Sequence, residues 1–277
     1  MASINSISEP RGGFLSGLID APSIKQWSYS GKSDLLADHE RAVNREIKSG
    51  IASDGILVSN VHASNFENEL FETNIWSAYD PRSNLLLLRM PLPPHESAAS
   101  SFEIAFFASI AAVGQGRSSL TKLRSTPFTC HRGTRQADGA WKPKRTRQHW
   151  PTIVLEVGNT ESTRKLHRDV EFWLEGSNGE VKRVFAIKIH QRERKVTIEK
   201  WMRNPAVDAP IQLEQQIVVS EKNRRTVVDN APLTIAFEDV FRRPPAGPVE
   251  TNNIIQLTAD DLRDLAEEVW EEQHNLA

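Results

Sequence analysis

Residues Trp150 to Gly158 read W-P-T-I-V-L-E-V-G, and Ile153, Val154, Leu155 and Val157 follow one another without the polar alternation of a half-solvated strand. The segment is predicted to be a short strand buried on both faces, and Glu156 stands inside it. An ionised carboxylate removed from water costs several kcal/mol unless a cation compensates it. The identity of that cation, a metal ion or a basic side chain, decides what chemistry the strand can serve.

The 277 residues, 39% of them hydrophobic and 25% charged, are enough for one large or two ordinary domains of a globular protein. The single Cys130 rules out an internal disulfide and fits a reducing, intracellular setting, cytoplasm or nucleus. No apolar stretch behind a basic start is visible in residues 1 to 30, so no secretory leader is expected. The longest apolar run, Ala98 to Val113, is broken by Ser100, Ser101, Glu103 and Ser109 and is shorter than the roughly 18 to 20 residues of a bilayer span. It reads as a core helix, and no membrane partner is expected.

Residues 1 to 34 are polar, rich in Ser and Gly and without a clean period, and are predicted to form a flexible arm. The body is expected over 35 to 241. It contains a helix from Leu35 to Lys48, a core strand from Asn84 to Met90 that Pro91, Pro93 and Pro94 end, and the Ala98 to Val113 helix opened by His95 and Glu96. A weak strand over Leu120 to Cys130 and a turn leading to a short edge strand over Gly133 to Lys144 precede the Glu156 strand. After it, Thr160 or Ser162 can cap a helix to about Leu174, followed by a hairpin of Val181 to Ile189 and Val196 to Trp201. Ile211 to Val219 and Leu233 to Phe237 read as edge strands. Residues 242 to 277 read as a Pro-rich connector and an acidic helix that docks on the body, with Thr258 and Asp261 forming a capping box.

A net charge of -2 hides an uneven distribution. Between Gln115 and Trp150 nine bases face one acid, and between Val181 and Arg203 eight face two, whereas the C-terminal tail carries eight acids and Arg263. This polarity suits a basic face for nucleic-acid phosphates, and equally suits basic body and acidic tail packing on each other. Trp141, in the first basic stretch, can stack on a base or fill the core. The eight His residues lack a metal-ligand spacing, and with one Cys a structural zinc site is not expected.

A strand-turn-strand with an acid on each strand, followed by a helix carrying bases, is one way to place two carboxylates about a Mg2+ ion beside a cation. R-M-P-L-P-P-H-E at Arg89 to Glu96, A-D-G at Ala137 to Gly139, the Glu156 strand, L-H-R-D-V-E-F-W-L-E-G-S-N-G-E-V-K at Leu166 to Lys182, I-E-K-W at Ile198 to Trp201 and L-T-A-D-D-L at Leu257 to Leu262 occur in order. In these motifs the chain resembles the PD-(D/E)XK, or restriction endonuclease-like, superfamily, and within it a group of uncharacterised fungal proteins.

The resemblance implies an α/β restriction endonuclease-like core, a mixed central sheet flanked by helices, and a protein related to Mg2+-dependent phosphodiester hydrolases that acts on DNA. Glu156 would be the acid of the (D/E)XK strand, while the Lys two residues on falls at Gly158, so Arg164, Lys165 or Arg168 would supply the basic group. The acid of P-D falls on W-K-P-K, at Lys144. Two outcomes follow from this reading. Either Lys144 or a neighbouring base holds Glu156 and closes the metal site, leaving a non-catalytic interaction or nucleic-acid-binding protein. Or Asp138, Glu103 or Glu96 joins Glu156 as a metal ligand, with Lys165 or Arg164 as the transition-state cation. Lys142, Lys144, Arg145, Arg147 and Arg168 are the expected nucleic-acid contacts, although Lys165 and Asp169, four apart, also fit an exposed helical ladder.

Overall fold

The computed structural model describes residues 13–19, 21, 24–49, 55–90, 92–123, 126–159, 163–204, 211–246 and 254–275. The first part of the chain runs β1 (Lys25–Ser28), α1 (Lys32–Ser49), β2 (Ile56–Ser59), α2 (Ala63–Asn65), β3 (Trp76–Asp80), β4 (Leu85–Leu88) and α3 (Pro93–Ala112). It continues through β5 (Leu120–Lys122), β6 (Phe128–Cys130), β7 (Gly133–Arg135), β8 (Gly139–Pro143), β9 (Ile153–Gly158) and α4 (Thr163–Gly176). Then come β10 (Arg183–His190), β11 (Lys195–Met202), β12 (Gln212–Lys222), β13 (Arg225–Asp229), β14 (Leu233–Ala236), α5 (Phe237–Phe241), β15 (Ile254–Leu257) and α6 (Ala259–Asn275).

The fold is α/β, with mixed sheets flanked by helices. Where one central sheet is expected, the strands divide into a six-stranded sheet, β1-β2-β4-β3-β7-β6, a seven-stranded sheet, β13-β12-β11-β10-β9-β8-β5, and the pair β14-β15. Each large sheet contains one parallel pair, β1 with β2 and β9 with β10, among antiparallel neighbours. The β9–α4–β10 unit is a crossover, and it explains why β9 is apolar apart from Glu156: both of its faces are covered. Ile153, Leu155 and Val157 point to the side where Phe102 and Phe106 of α3 pack, together with Phe185 and Ile187. Val154 points to the other side, against Leu166, Val170 and Trp173 of α4.

Helix α3 starts two residues before the expected opening, with Pro93 and Pro94 in its first turn, where a missing N–H costs nothing. Trp141 is fully buried on its ring-to-ring contacts with Phe102 and Phe106, at 6.3 and 5.2 Å, so the packing role is the observed one. The capping box at α6 forms as expected: Asp261 accepts from the Thr258 backbone N–H at 2.7 Å while the Thr258 hydroxyl accepts from the Asp261 N–H at 3.2 Å. The helix buries Leu262, Leu265, Val269 and Trp270 in the same core as α3.

The described part of the N-terminal segment is ordered into the body. Phe14, Leu15, Leu18 and Ile24 are buried with Leu57 and Leu87, and β1 adds an edge strand to the first sheet. A 3-10 turn at Ser16–Leu18 and a four-residue strand have no long period to reveal them. Thr160 and Ser162, the expected caps of α4, lie outside the described residues. No helix of the described residues is long and apolar enough to cross a membrane.

Phe102 joins α3 to the second sheet, with its ring 5.2 Å from that of Phe185 and no exposed surface. Phe102→Ala is expected to cost about 3 to 5 kcal/mol in urea unfolding, and a loss below about 1 kcal/mol would show that the helix is held by other contacts.

Candidate functional site

β8 and β9 run antiparallel with Gly139 opposite Leu155, so the residue just before β8 lies beside the end of β9. That residue is Asp138, whose Oδ2 accepts the Val157 backbone N–H at 2.8 Å. The acid on the strand neighbouring Glu156 is therefore Asp138. Lys144 lies past the far end of β8, exposed, with its backbone N–H on the Ser119 carbonyl. The expectation that Lys144 closes the site fails for this reason of register: the A-D-G run, and not W-K-P-K, meets Glu156.

Glu156 is 4% exposed and its side chain is on the α4 side of the sheet. Arg135, the last residue of β7 and 2% exposed, reaches across from the first sheet. Its Nε and Nη2 lie 3.2 and 3.3 Å from the two Glu156 carboxylate oxygens, and Trp173 of α4 donates its indole N–H to Oε1 at 2.5 Å. The same Nη2 is 2.5 Å from Asp169, which also takes Lys165 at 3.3 Å. Burial, with the nearby charges of Asp138 and Asp169, pushes Glu156 up to about 7 against the pull of Arg135.

A second ion pair stands beside the first. His95, in the first turn of α3, sits 3.3 Å from Asp138 on one side and 3.3 Å from Glu96 on the other. Burial opposes its charge, but the two carboxylates push it up to about 10. Asp138 is lowered in turn: burial works the other way, but His95, Arg89 and the Val157 N–H hold it well below the usual carboxylate range. Arg135, Glu156, His95, Glu96 and Asp138 line one cavity of about 430 Å³, which also takes in Arg89, Gln136, Asn159 and Lys165 and has an apolar wall of Ile75, Leu88, Met90 and Leu92.

The other expected site residues scatter. Lys165 lines the cavity, and it and Asp169 are buried, so they form no exposed ladder. Arg164 is exposed, one residue before it on α4. Glu103 is on the opposite face of the sheet, bonded by Lys122 at 2.9 Å and the Trp141 indole at 3.3 Å, and cannot join Glu156 at one ion. Glu96 is at the rim, its side chain 62% exposed. Arg168 is buried beneath the N-terminal turn, so close to Gly17 that a Cβ there would meet the guanidinium at 1.9 Å, and it is no part of an exposed basic face. Lys142 is half-buried and donates to the Gln148 carbonyl, whereas Arg145 and Arg147 are exposed with Lys144 on the β8–β9 connection. In the second basic stretch Arg183 pairs with Glu214 and Asp239, and Lys200 donates to the Thr234 carbonyl, so much of that charge is spent internally. Arg194 lies over the Trp270 ring of the acidic helix, as packing between basic body and acidic tail requires.

Mg2+ wants hard oxygen donors that are free to coordinate. Here the Glu156 oxygens face a guanidinium and an indole N–H, and Asp138 faces a backbone N–H and an imidazolium. Gly158 brings no side chain, and among the described residues no group of three or more Asp, Glu, His or Cys stands where it could hold an ion. The residues as arranged do not fit the metal that the resemblance implies.

No family model and no curated protein matches the chain. Among solved structures, the crystal structure of a "putative nuclease belonging to DUF820" from Anabaena variabilis is similar over 70% of this chain and 93% of that chain, with 14% identity and a TM-score of 0.42. A likeness at that level carries no assignment, and function rests on the geometry of the chain itself.

A His whose folded pKa is raised stabilises fully below its unfolded value and loses that contribution as pH rises through the folded one. The stability gap between the wild type and His95→Gln is therefore expected to be widest below about 6.5 and to close as pH approaches about 10. Urea midpoints across this range measure it, and a gap that does not change with pH would remove the imidazolium from the site.

Proposed function

We propose that this chain is a nuclease-like α/β protein that binds nucleic acid through its phosphates and does not hydrolyse it. The observation that carries this reading is the Arg135–Glu156 pair, with contacts of 3.2 and 3.3 Å in a buried setting. Acids stand on β9 and just before β8, as the resemblance implies, but the charge that a divalent ion would neutralise is met by the protein's own cations. Lys165 is in place beside the acids, yet it pairs with Asp169.

The phosphate-binding face is at the other end of β9. Lys144, Arg145 and Arg147 are exposed on the connection that leads into the strand. Arg242 and Arg243 follow α5, whose Val240 carbonyl accepts from the Thr152 hydroxyl at 2.9 Å, so they emerge beside the same connection. Lys182 is there too, its N–H on the Thr152 carbonyl, and its pKa is lowered by burial and then by Arg242. Of the acids nearby, Glu180 accepts the Trp150 N–H, Asp239 and Glu214 are taken by Arg183, and Glu238 is exposed on α5. At a rise of about 3.3 Å per residue the four steps from Thr152 to Glu156 put this face about 13 Å along β9 from the acid.

Binding of a duplex is expected to weaken steeply with salt, and Lys144→Ala/Arg145→Ala/Arg147→Ala is expected to lower the slope of log affinity against log salt by about 2 to 3. Fluorescence anisotropy over a salt series measures both, alongside incubation of plasmid with Mg2+, which should stay intact. A flat salt response, or nicking that Glu156→Gln abolishes, would overturn the proposal.

A further inference from the structure

Arg135 belongs to the first sheet and spends its charge in the second. Its guanidinium is in contact with two carboxylates, Glu156 and Asp169, and a third, Asp138, is close enough to raise the Glu156 pKa by its charge. One delocalised positive charge thus stands among three acids, two of them nearly excluded from water. Buried carboxylates in such a group repel one another unless a cation stands between them. The side chain that meets this requirement also lines the cavity of about 430 Å³ with Glu156 and Asp138, so truncating it would extend that cavity toward Asp169.

We infer that Arg135 is an internal substitute for a divalent cation, and that removing its guanidinium uncovers a latent site for a hard divalent ion on Glu156 and Asp169, with Asp138 beside them. The truncated side chain leaves room where it stood, and oxygen ligands from two carboxylates with retained waters are what such ions accept. Lys165 on Asp169 and His95 on Asp138 remain as competing charges, so the uncovered site is weaker than one built for a metal. Trp173 stays on Glu156 and gives an indole donor for lanthanide luminescence at the same place. The inference stands on the charges around Arg135 and makes no use of the basic face.

The test is binding of Mn2+ by electron paramagnetic resonance, and of Tb3+ by sensitised emission, on the full chain. Arg135→Ala and Arg135→Gln are expected to bind Mn2+ at least about tenfold tighter than the wild type, and Glu156→Gln added to either should abolish the gain. If a variant is unfolded in chelator, recovery of its circular dichroism on adding millimolar Mn2+ supports the inference, and failure to recover overturns it. Folded variants that bind no better than the wild type overturn it too, and leave the proposed nucleic-acid binding standing. Saturable binding by the wild type that Glu156→Gln removes would overturn both, because the ion would then be accommodated with Arg135 in place.

Discussion

The carboxylate of Glu156 is the constraint around which the rest of this protein is arranged. A strand inside a seven-stranded sheet, covered by α3 on one face and α4 on the other, leaves its acid only 4% exposed. The solution found here draws three groups from two elements: the guanidinium of β7, the indole of α4, and Asp169 on the same helix to hold the guanidinium in turn. A paired buried charge of this kind adds little net stability compared with an apolar core, but removing one partner leaves the other stranded. The pair therefore fixes the relative placement of its elements more than it strengthens them.

Beside it, His95 and Asp138 repeat the same principle with a weaker cation. The two pairs are joined through backbone, since Asp138 accepts the N–H of Val157, the residue after Glu156. Acids on adjacent strands that would repel one another are thus kept about a shared cavity by two resident positive charges. The positive charge that the acids face comes from side chains on other elements of the same chain.

The sequence was informative where periodicity and composition speak directly. β9, the α3 and α6 helices, the β10–β11 hairpin and the odd status of Glu156 are all legible from apolar runs and from one misplaced acid. Its partner was not legible. Arg135 lies 21 residues upstream in a basic stretch where eight other such charges compete for attention, and only the pairing of β7 with β3 and of β8 with β9 brings it to the acid. Position in the chain also misled: W-K-P-K looks like a strand-end motif, yet the register puts A-D-G there. His95 read as a helix opener, which it is, and nothing in its neighbours announces Asp138, 43 residues on. The short strands β2, β3, β13 and β15 escaped because four or five residues are too few to establish a period.

Only three residues, Gln136 to Asp138, separate the end of β7 in one sheet from the start of β8 in the other. A link that short cannot absorb a sliding motion, and Gln136 is itself tied back, by its N–H to the Ser77 carbonyl and by its side chain to Arg89. Any displacement of the first sheet against the second is thus transmitted directly to Arg135 on one side of the link and Asp138 on the other. Shear between the two sheets would therefore change how well each cation of the cluster faces its acids.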